Sequence, residues 1–221
     1  MNSDLWFSLR LSLQVALSAT VLIVLFGVAA GYLLARKNFR GKELIDILFT
    51  LPLVLPPTVT GYYLIILFGR NGWIGKVLYA WTGWSLMFTW YAAVLASFVV
   101  ALPLMIRTTR AAIESIDPHL IQASFTLGHS EMETVWRVIL PLAHRGLMAG
   151  GVLSFARALG EFGATLMIAG NIPGKTNTLP LTIYTLAGSG EWSQAQIAVI
   201  LLTLASAFFL YWASRTTRKV F

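Results

Sequence analysis

Arg157 and Glu161 carry opposite charges four positions apart inside an otherwise apolar run, ARALGEFGATL. That spacing puts both side chains on one face of a helix, where they can pair. Ionisable groups at membrane depth are costly, so they face the protein interior and take a partner. Two roles are open to the pair. It can be a buried ion pair that fixes helix packing. Alternatively Arg157, or the field of the pair, tunes a path for an anion. Glu161 then cancels enough charge that the anion is passed on rather than trapped. Gly160 and Gly163 would bring a neighbouring backbone close.

Other chemistry is thinly represented. GNIPGKT (170–176) invites comparison with a phosphate-binding loop, but Gly170 stands one residue too close to Gly174 for G-x-x-x-x-G-K-[ST], and Ala169 fills the required place. His119, His129 and His144 match no usual zinc-ligand spacing and read as solvated loop residues. Neither H-E-x-x-H nor G-x-S-x-G occurs. Cysteine is absent, which excludes disulfides, thiol catalysis and cysteine-ligated metal. An enzyme is not expected from these residues, nor a cofactor bound by the chain.

The elements that must position the charged pair are hydrophobic spans. Of 221 residues, 57% are hydrophobic and 11% charged, against about 25% charged in a soluble domain, and the mean hydropathy is +0.74. The net charge of +7 comes from small clusters at the ends of apolar runs. There is no basic face interleaved with aromatics, so no nucleic-acid partner is expected. The first apolar run is too long for a signal peptide, and no cleavage site follows it.

A membrane helix needs ~20 mainly apolar residues. Five segments qualify: 11–35, 47–69, 85–106, 146–172 and 192–214. Gly27 and Gly31, and again Gly146 and Gly150, have the small-xxx-small spacing of close helix contacts. The second segment contains LPLVLPP (51–57), whose Pro52, Pro56 and Pro57 each remove a backbone donor. A span broken there must be buried among helices or line a cavity, so a packing kink and a pathway role are both open. Segment 69–75 reads as an outer turn flanked by Trp73, Trp81 and Trp84 at the membrane interface. Thr178–Gly188 reads as a short helix at the surface or re-entering.

Basic residues set the orientation. Eleven fall on one side of the five-span arrangement: Arg36, Lys37, Arg40, Lys42, Arg107, Arg110, Arg137, Arg145, Arg215, Arg218 and Lys219. Four fall on the other: Arg10, Arg70, Lys76 and Lys175. The positive-inside rule makes the first side cytoplasmic and puts the N-terminus outside. The expected fold is an all-α polytopic membrane protein, a single domain over 1–221 with its core at about 8–214, and a C-terminus in the cytoplasm.

One cytoplasmic stretch is polar and built for display: DPHLIQASFTLGHSEMETVWRVILP, residues 117–141. Asp117 before Pro118 is a helix start. Gly128 can take the left-handed conformation that closes the helix. Ser130 and Glu133 form an S-x-x-E capping box that opens a second helix running toward Pro141. Two short helices joined at a glycine make a knob that a groove on another protein can grip.

This stretch resembles the cytoplasmic loop of ABC-importer permeases, whose pattern is E-A-A, three residues, Gly, nine residues, I-x-L-P. Gln122, Ala123 and Ser124 stand in the E-A-A positions. Gly128 is the glycine, and Val138, Leu140 and Pro141 close the motif. Gln122, Ser124 and Val138 depart from the pattern in identity. Residues 36–75, 101–120 and 155–184 resemble the molybdate permease branch of that family, with LPLVLPP and GEFGATL-to-IPGKT as the specific blocks.

The resemblance implies a type I importer fold that homodimerises on two copies of a cytoplasmic ATPase. It implies that ATP and magnesium are used by that ATPase, and that molybdate arrives from a periplasmic or lipid-anchored binding protein. It implies residence among lipid in a bacterial or archaeal cytoplasmic membrane, and alternating access driven through loop 117–141. Carried over, Gln122, Ala123, Ser124, Gly128, Leu140 and Pro141 become the coupling positions. The family pattern names no substrate contacts; the candidates near the proline break and the charged pair are Thr58, Thr60, Arg157 and Glu161. An additional N-terminal span found in some relatives is not expected before residue 11. Related importers of tungstate, sulfate or thiosulfate share the architecture, and a stand-alone transporter or channel is the rival of another class.

Overall fold

A computed structural model describes residues 2–218. Every regular element among them is a helix. Lys219, the last of the basic residues that oriented the chain, lies outside the described residues, as do Met1, Val220 and Phe221.

Helix α1 (Asn2–Arg36) leads into α2 (Lys42–Val54), α3 (Pro57–Phe68) and α4 (Trp73–Thr82). Helix α5 (Trp90–Glu114) is followed by α6 (Pro118–Thr126), the single turn α7 (Glu131–Thr134), a π-helical turn (Val135–Ile139) and α8 (Leu140–Leu159). Then come α9 (Gly163–Ala169), α10 (Leu179–Gly188) and α11 (Trp192–Arg218). Among the described residues four stretches are long and apolar enough to cross a membrane: 4–36, 90–114, 131–159 and 192–211. The pair α2–α3, bent by 119°, makes a fifth when it counts as one span.

Ion pairs and hydrogen bonds between distant residues sort the chain into two ends. At one, Lys37 Nζ lies 2.6 Å from Glu131 Oε1, and Arg110 Nη1 lies 2.8 Å from Asp46 Oδ2. At the other, the Ser8 hydroxyl donates to Asn177 Oδ1 at 2.7 Å, and the amide of Phe88 donates to Ile168 O at 3.1 Å. Residues 36–46 and 110–131 therefore share one end, while 8, 88 and 168–177 share the other. Helix α5, about 37 Å long at 1.5 Å per residue, connects them, so the chain between Asp46 and Phe88, which holds α2, α3 and α4, traverses the bundle. Arg36, Lys37 and Arg110 thus lie opposite Arg10 and Lys175, the partition that the charge pattern required.

The core is where α1, α5 and α8 meet, around Ile23, Val100, Met105 and Phe155. Small residues make the contact possible. A Cβ on Gly31 would sit 2.6 Å from Thr109 Cβ and 2.9 Å from the carbonyl oxygen of Ile106. On Gly150 it would meet the Thr108 hydroxyl at 2.1 Å. Both glycine pairs picked out by spacing face α5.

Several expected extents change, the third span among them: it runs from Trp90 to Glu114 rather than over 85–106. The fourth span is not one run over 146–172: it is continuous from Glu131 to Leu159, and a break at 160–162 separates it from α9. Pro141 does not end the loop's second helix. The preceding π turn, in which the Leu140 amide bonds Val135 O, widens the backbone where a proline ring would otherwise crowd the carbonyl four residues earlier. The outer turn at 69–75 is shorter than expected, because α4 already begins at Trp73.

Candidate functional site

The loop at the basic end is assembled by local chemistry. The Asp117 carboxylate accepts from the amide of His119 at 2.9 Å and Pro118 occupies the first turn. At the far end of α6, Gly128 has φ +85°. Its amide bonds Phe125 O and that of His129 bonds Ser124 O, the paired bonds of a Schellman closure. Glu133 reaches back to the Ser130 amide at 2.8 Å while the Ser130 hydroxyl accepts from the Glu133 amide at 3.3 Å. The reciprocal capping box is complete.

Ser124 then binds the hairpin together. Its hydroxyl lies 2.9 Å from Thr134 Oγ1 and 3.1 Å from His129 Nδ1, and both Ser124 and Thr134 are buried. Gln122, Ala123, Gly128 and Pro141 are exposed, and Leu140 is half-buried. Of the six motif positions, Ser124 thus braces the knob from within while four stand on its surface. Around them Leu120, Phe125, Leu127, Met132 and Trp136 are also exposed. Beneath, Ile113, Ile116, Ile121, Ile139 and Ala143 form a small apolar cluster that seats the hairpin on the bundle.

A tether invisible in the sequence adds to this seat. Glu131 accepts from Tyr32 Oη at 3.0 Å besides pairing with Lys37, so the loop is fastened to the end of α1. The partners are almost a hundred residues apart, and no local spacing marks them. Arg110, bridging Asp46 and Glu114, likewise pins α2 to α5.

The second site is deeper, where two breaks meet. Leu55 and Pro56 separate α2 from α3, which Pro57 opens, and Gly160–Phe162 separate α8 from α9. Gly163 stands against α3: a Cβ there would lie 3.1 Å from Pro57 Cβ and 3.3 Å from Thr58 N. Gly61 returns the contact, with Ala164 Cα 3.0 Å from its position for a Cβ. Only residues without side-chain bulk permit this, which is the close approach that Gly163 suggested.

Arg157 Nη1 lies 2.8 Å from Glu161 Oε2, so the pair exists as the four-residue spacing required. That oxygen makes a close ionic contact rather than an aligned hydrogen bond. The other, Oε1, accepts from the amide of Ala164 at 2.9 Å. The Glu161 side chain is 1% exposed and that of Arg157 30%. A buried carboxylate with two partners is stable, but losing one costs ~3–5 kcal/mol. Thr60 is buried and its hydroxyl has no hydrogen-bond partner among the described residues, while Thr58 is exposed. The structure therefore brings Thr58 to the break beside Gly163. Arg157 joins that place through Glu161 and Ala164, and Thr60 lies two residues further along α3, on its buried side.

At the opposite end from the loop, a polar chain holds the GNIPGKT turn. Thr182 Oγ1 donates to Ser8 Oγ at 2.8 Å and also bonds Asn177. Asn177 Nδ2 donates to Asn171 Oδ1 at 2.7 Å. Gly170 and Gly174 have φ near +70°, and the Ile172 amide bonds the Thr176 hydroxyl. The segment is a locked outer turn joined to α1.

Residues 15–219 match the family described as "Binding-protein-dependent transport system inner membrane component". The chain is 45% identical over 216 residues to the molybdenum transport system permease protein ModB of Haemophilus influenzae, covering 96% of this chain and 94% of that one. It is 37% identical to the sulfate transport system permease protein CysW of Synechococcus elongatus, covering 91% of this chain and 70% of that one. Among solved structures, the MetNI methionine ABC transporter in an inward-facing conformation superposes with a TM-score of 0.76 at 19% identity, over 100% of this chain and 96% of that chain. The chain belongs to the binding-protein-dependent inner-membrane components of ABC importers, in the branch of the molybdenum permeases.

Proposed function

We propose that this protein passes molybdate across the cytoplasmic membrane by alternating access, as one of two identical permease subunits on a pair of ABC ATPases. One observation carries the reading: loop 117–141 is a capped, braced hairpin with an exposed apolar face, seated on a permease-type bundle. An exposed face of Leu120, Phe125, Leu127, Met132 and Trp136 beside Gln122 and Ala123 suits the groove of a partner that pushes on it. ATP and magnesium belong to that partner. A periplasmic or lipid-anchored binding protein selects the oxyanion and delivers it to the end that bears Lys175. The fold comprises one permease domain, with the hairpin as its coupling element.

A strongly hydrated divalent oxyanion needs only a weak polar passage once selection is made elsewhere. Thr58, Thr60 and Arg157 supply polar groups at the meeting of the breaks, and the Glu161 carboxylate keeps Arg157 from being a bare cation. A sulfate importer is the second reading, favoured by the 37% identity to a sulfate permease. Reconstitution with the ATPase and binding protein decides. ATP-dependent uptake of molybdate in preference to sulfate is expected. Preference for sulfate selects the second reading, and uptake without ATP by this chain alone defeats both.

A further inference from the structure

Glu161 sits where two relations of the deeper site, one to Arg157 and one to α9, pass through one side chain. One of its oxygens holds the Arg157 guanidinium at 2.8 Å. The other holds the first turn of α9 through Ala164 N at 2.9 Å. The next contact outward is Gly163 on Pro57 and Thr58. At 1% exposure the carboxylate is screened from anything moving past it, so it does not serve as a contact for cargo. Arg157, thirty times more exposed, keeps guanidinium N–H groups beyond the one turned to Glu161.

We propose that Glu161 is the positioning residue of the anion passage. It aims and half-neutralises Arg157, and by capping α9 it sets the register of the two broken spans, so that Thr58 and Arg157 keep a fixed separation. This rests on the anion-passage reading above and assigns within it which charged residue meets the oxyanion and which acts through another. A full, unbalanced guanidinium facing a passage would hold any divalent oxyanion rather than release it. The two functions of the carboxylate are chemically separable. An amide oxygen can still accept from Ala164 N, but it cannot balance Arg157.

The test uses the complete transporter in proteoliposomes, with ATP-driven molybdate uptake as the readout. Glu161→Gln is expected to assemble normally and to lower the maximal uptake rate at least tenfold. Uptake should also become sensitive to sulfate enclosed in the vesicle lumen, with half-inhibition at a concentration at least tenfold below that of the wild type. The double variant Arg157→Gln/Glu161→Gln removes the bare charge and should lose the luminal sulfate sensitivity. A purely structural role predicts a loss of uptake in proportion to folded protein, with sulfate sensitivity unchanged in every variant; that result overturns the proposal. So does a double variant as sulfate-sensitive as Glu161→Gln. Absence of ATP-driven uptake in the wild type is a separate outcome, which refutes the importer reading and removes the ground for this one.

Discussion

Single residues here act mainly by what they exclude. Gly31 and Gly27 both face α5, but their neighbours differ in hardness. A Cβ on Gly31 meets Thr109 Cβ at 2.6 Å and a backbone oxygen at 2.9 Å, whereas on Gly27 it meets the flexible Met105 side chain at 2.7 Å. Gly31→Ala should therefore destabilise by ~1–3 kcal/mol, the usual cost of overpacking, and Gly27→Ala by less. Thermal unfolding in detergent orders the two, and an equal effect would contradict the packing described. Ser124 makes the complementary case. Ser124→Ala leaves the buried Thr134 hydroxyl short of a partner, which costs ~1–3 kcal/mol, and should loosen the hairpin to protease while α5 and α8 stay protected. The family resemblance put Ser124 among the coupling positions; in the fold it is buried against Thr134, so it braces the hairpin from within.

At the scale of elements, the hairpin is a case of local rules agreeing with one another. The Asp117–Pro118 start, the Gly128 closure and the Ser130–Glu133 box are short-range and were legible before any coordinates, because each is decided by its immediate neighbours. Gly128→Pro should leave membrane insertion intact yet uncouple ATP hydrolysis from uptake, since a proline ring cannot reach φ +85°. Unchanged uptake would make the loop a mere connector. Ser130→Ala should act in the same direction more weakly, losing ~1 kcal/mol of cap, read as a partial fall in uptake per ATP. The break at 160–162 was not legible. ARALGEFGATL reads as uninterrupted helix, and the interruption depends on Glu161 turning to cap α9 and on α3 lying against Gly163. Likewise the Lys37–Glu131 tether depends on partners distant in sequence.

For the whole molecule, sidedness is the property on which the rest depends. The counts of basic residues and the long-range ties agree on which segments share an end, and neither depends on the family. Since the chain contains no cysteine, single cysteines report cleanly. A cysteine at Gln122 should react with an impermeant maleimide only from the cytoplasmic face of inverted vesicles. One at Lys175 should react only in intact cells. The opposite pattern would invert the topology and detach the hairpin from any cytoplasmic motor. The five spans were legible because apolar length is a bulk property. The 119° bend between α2 and α3 was legible only as a break, since prolines say where a helix stops and not where the next one points.

The π turn at Val135–Ile139 has a consequence for how such proteins can vary. A π turn is one residue in excess of an α-helix, and each α-helical residue rotates the chain by about 100°. Deleting Arg137, on the exposed side of that turn, would let the stretch wind as plain helix. The knob would then keep roughly its present aim, because a π turn spreads one rotation over about one residue more than an α-helical turn does, with every span still in place. A one-codon change at this joint is therefore taken up locally, so permeases can differ in length here and still present the handle to the same engine.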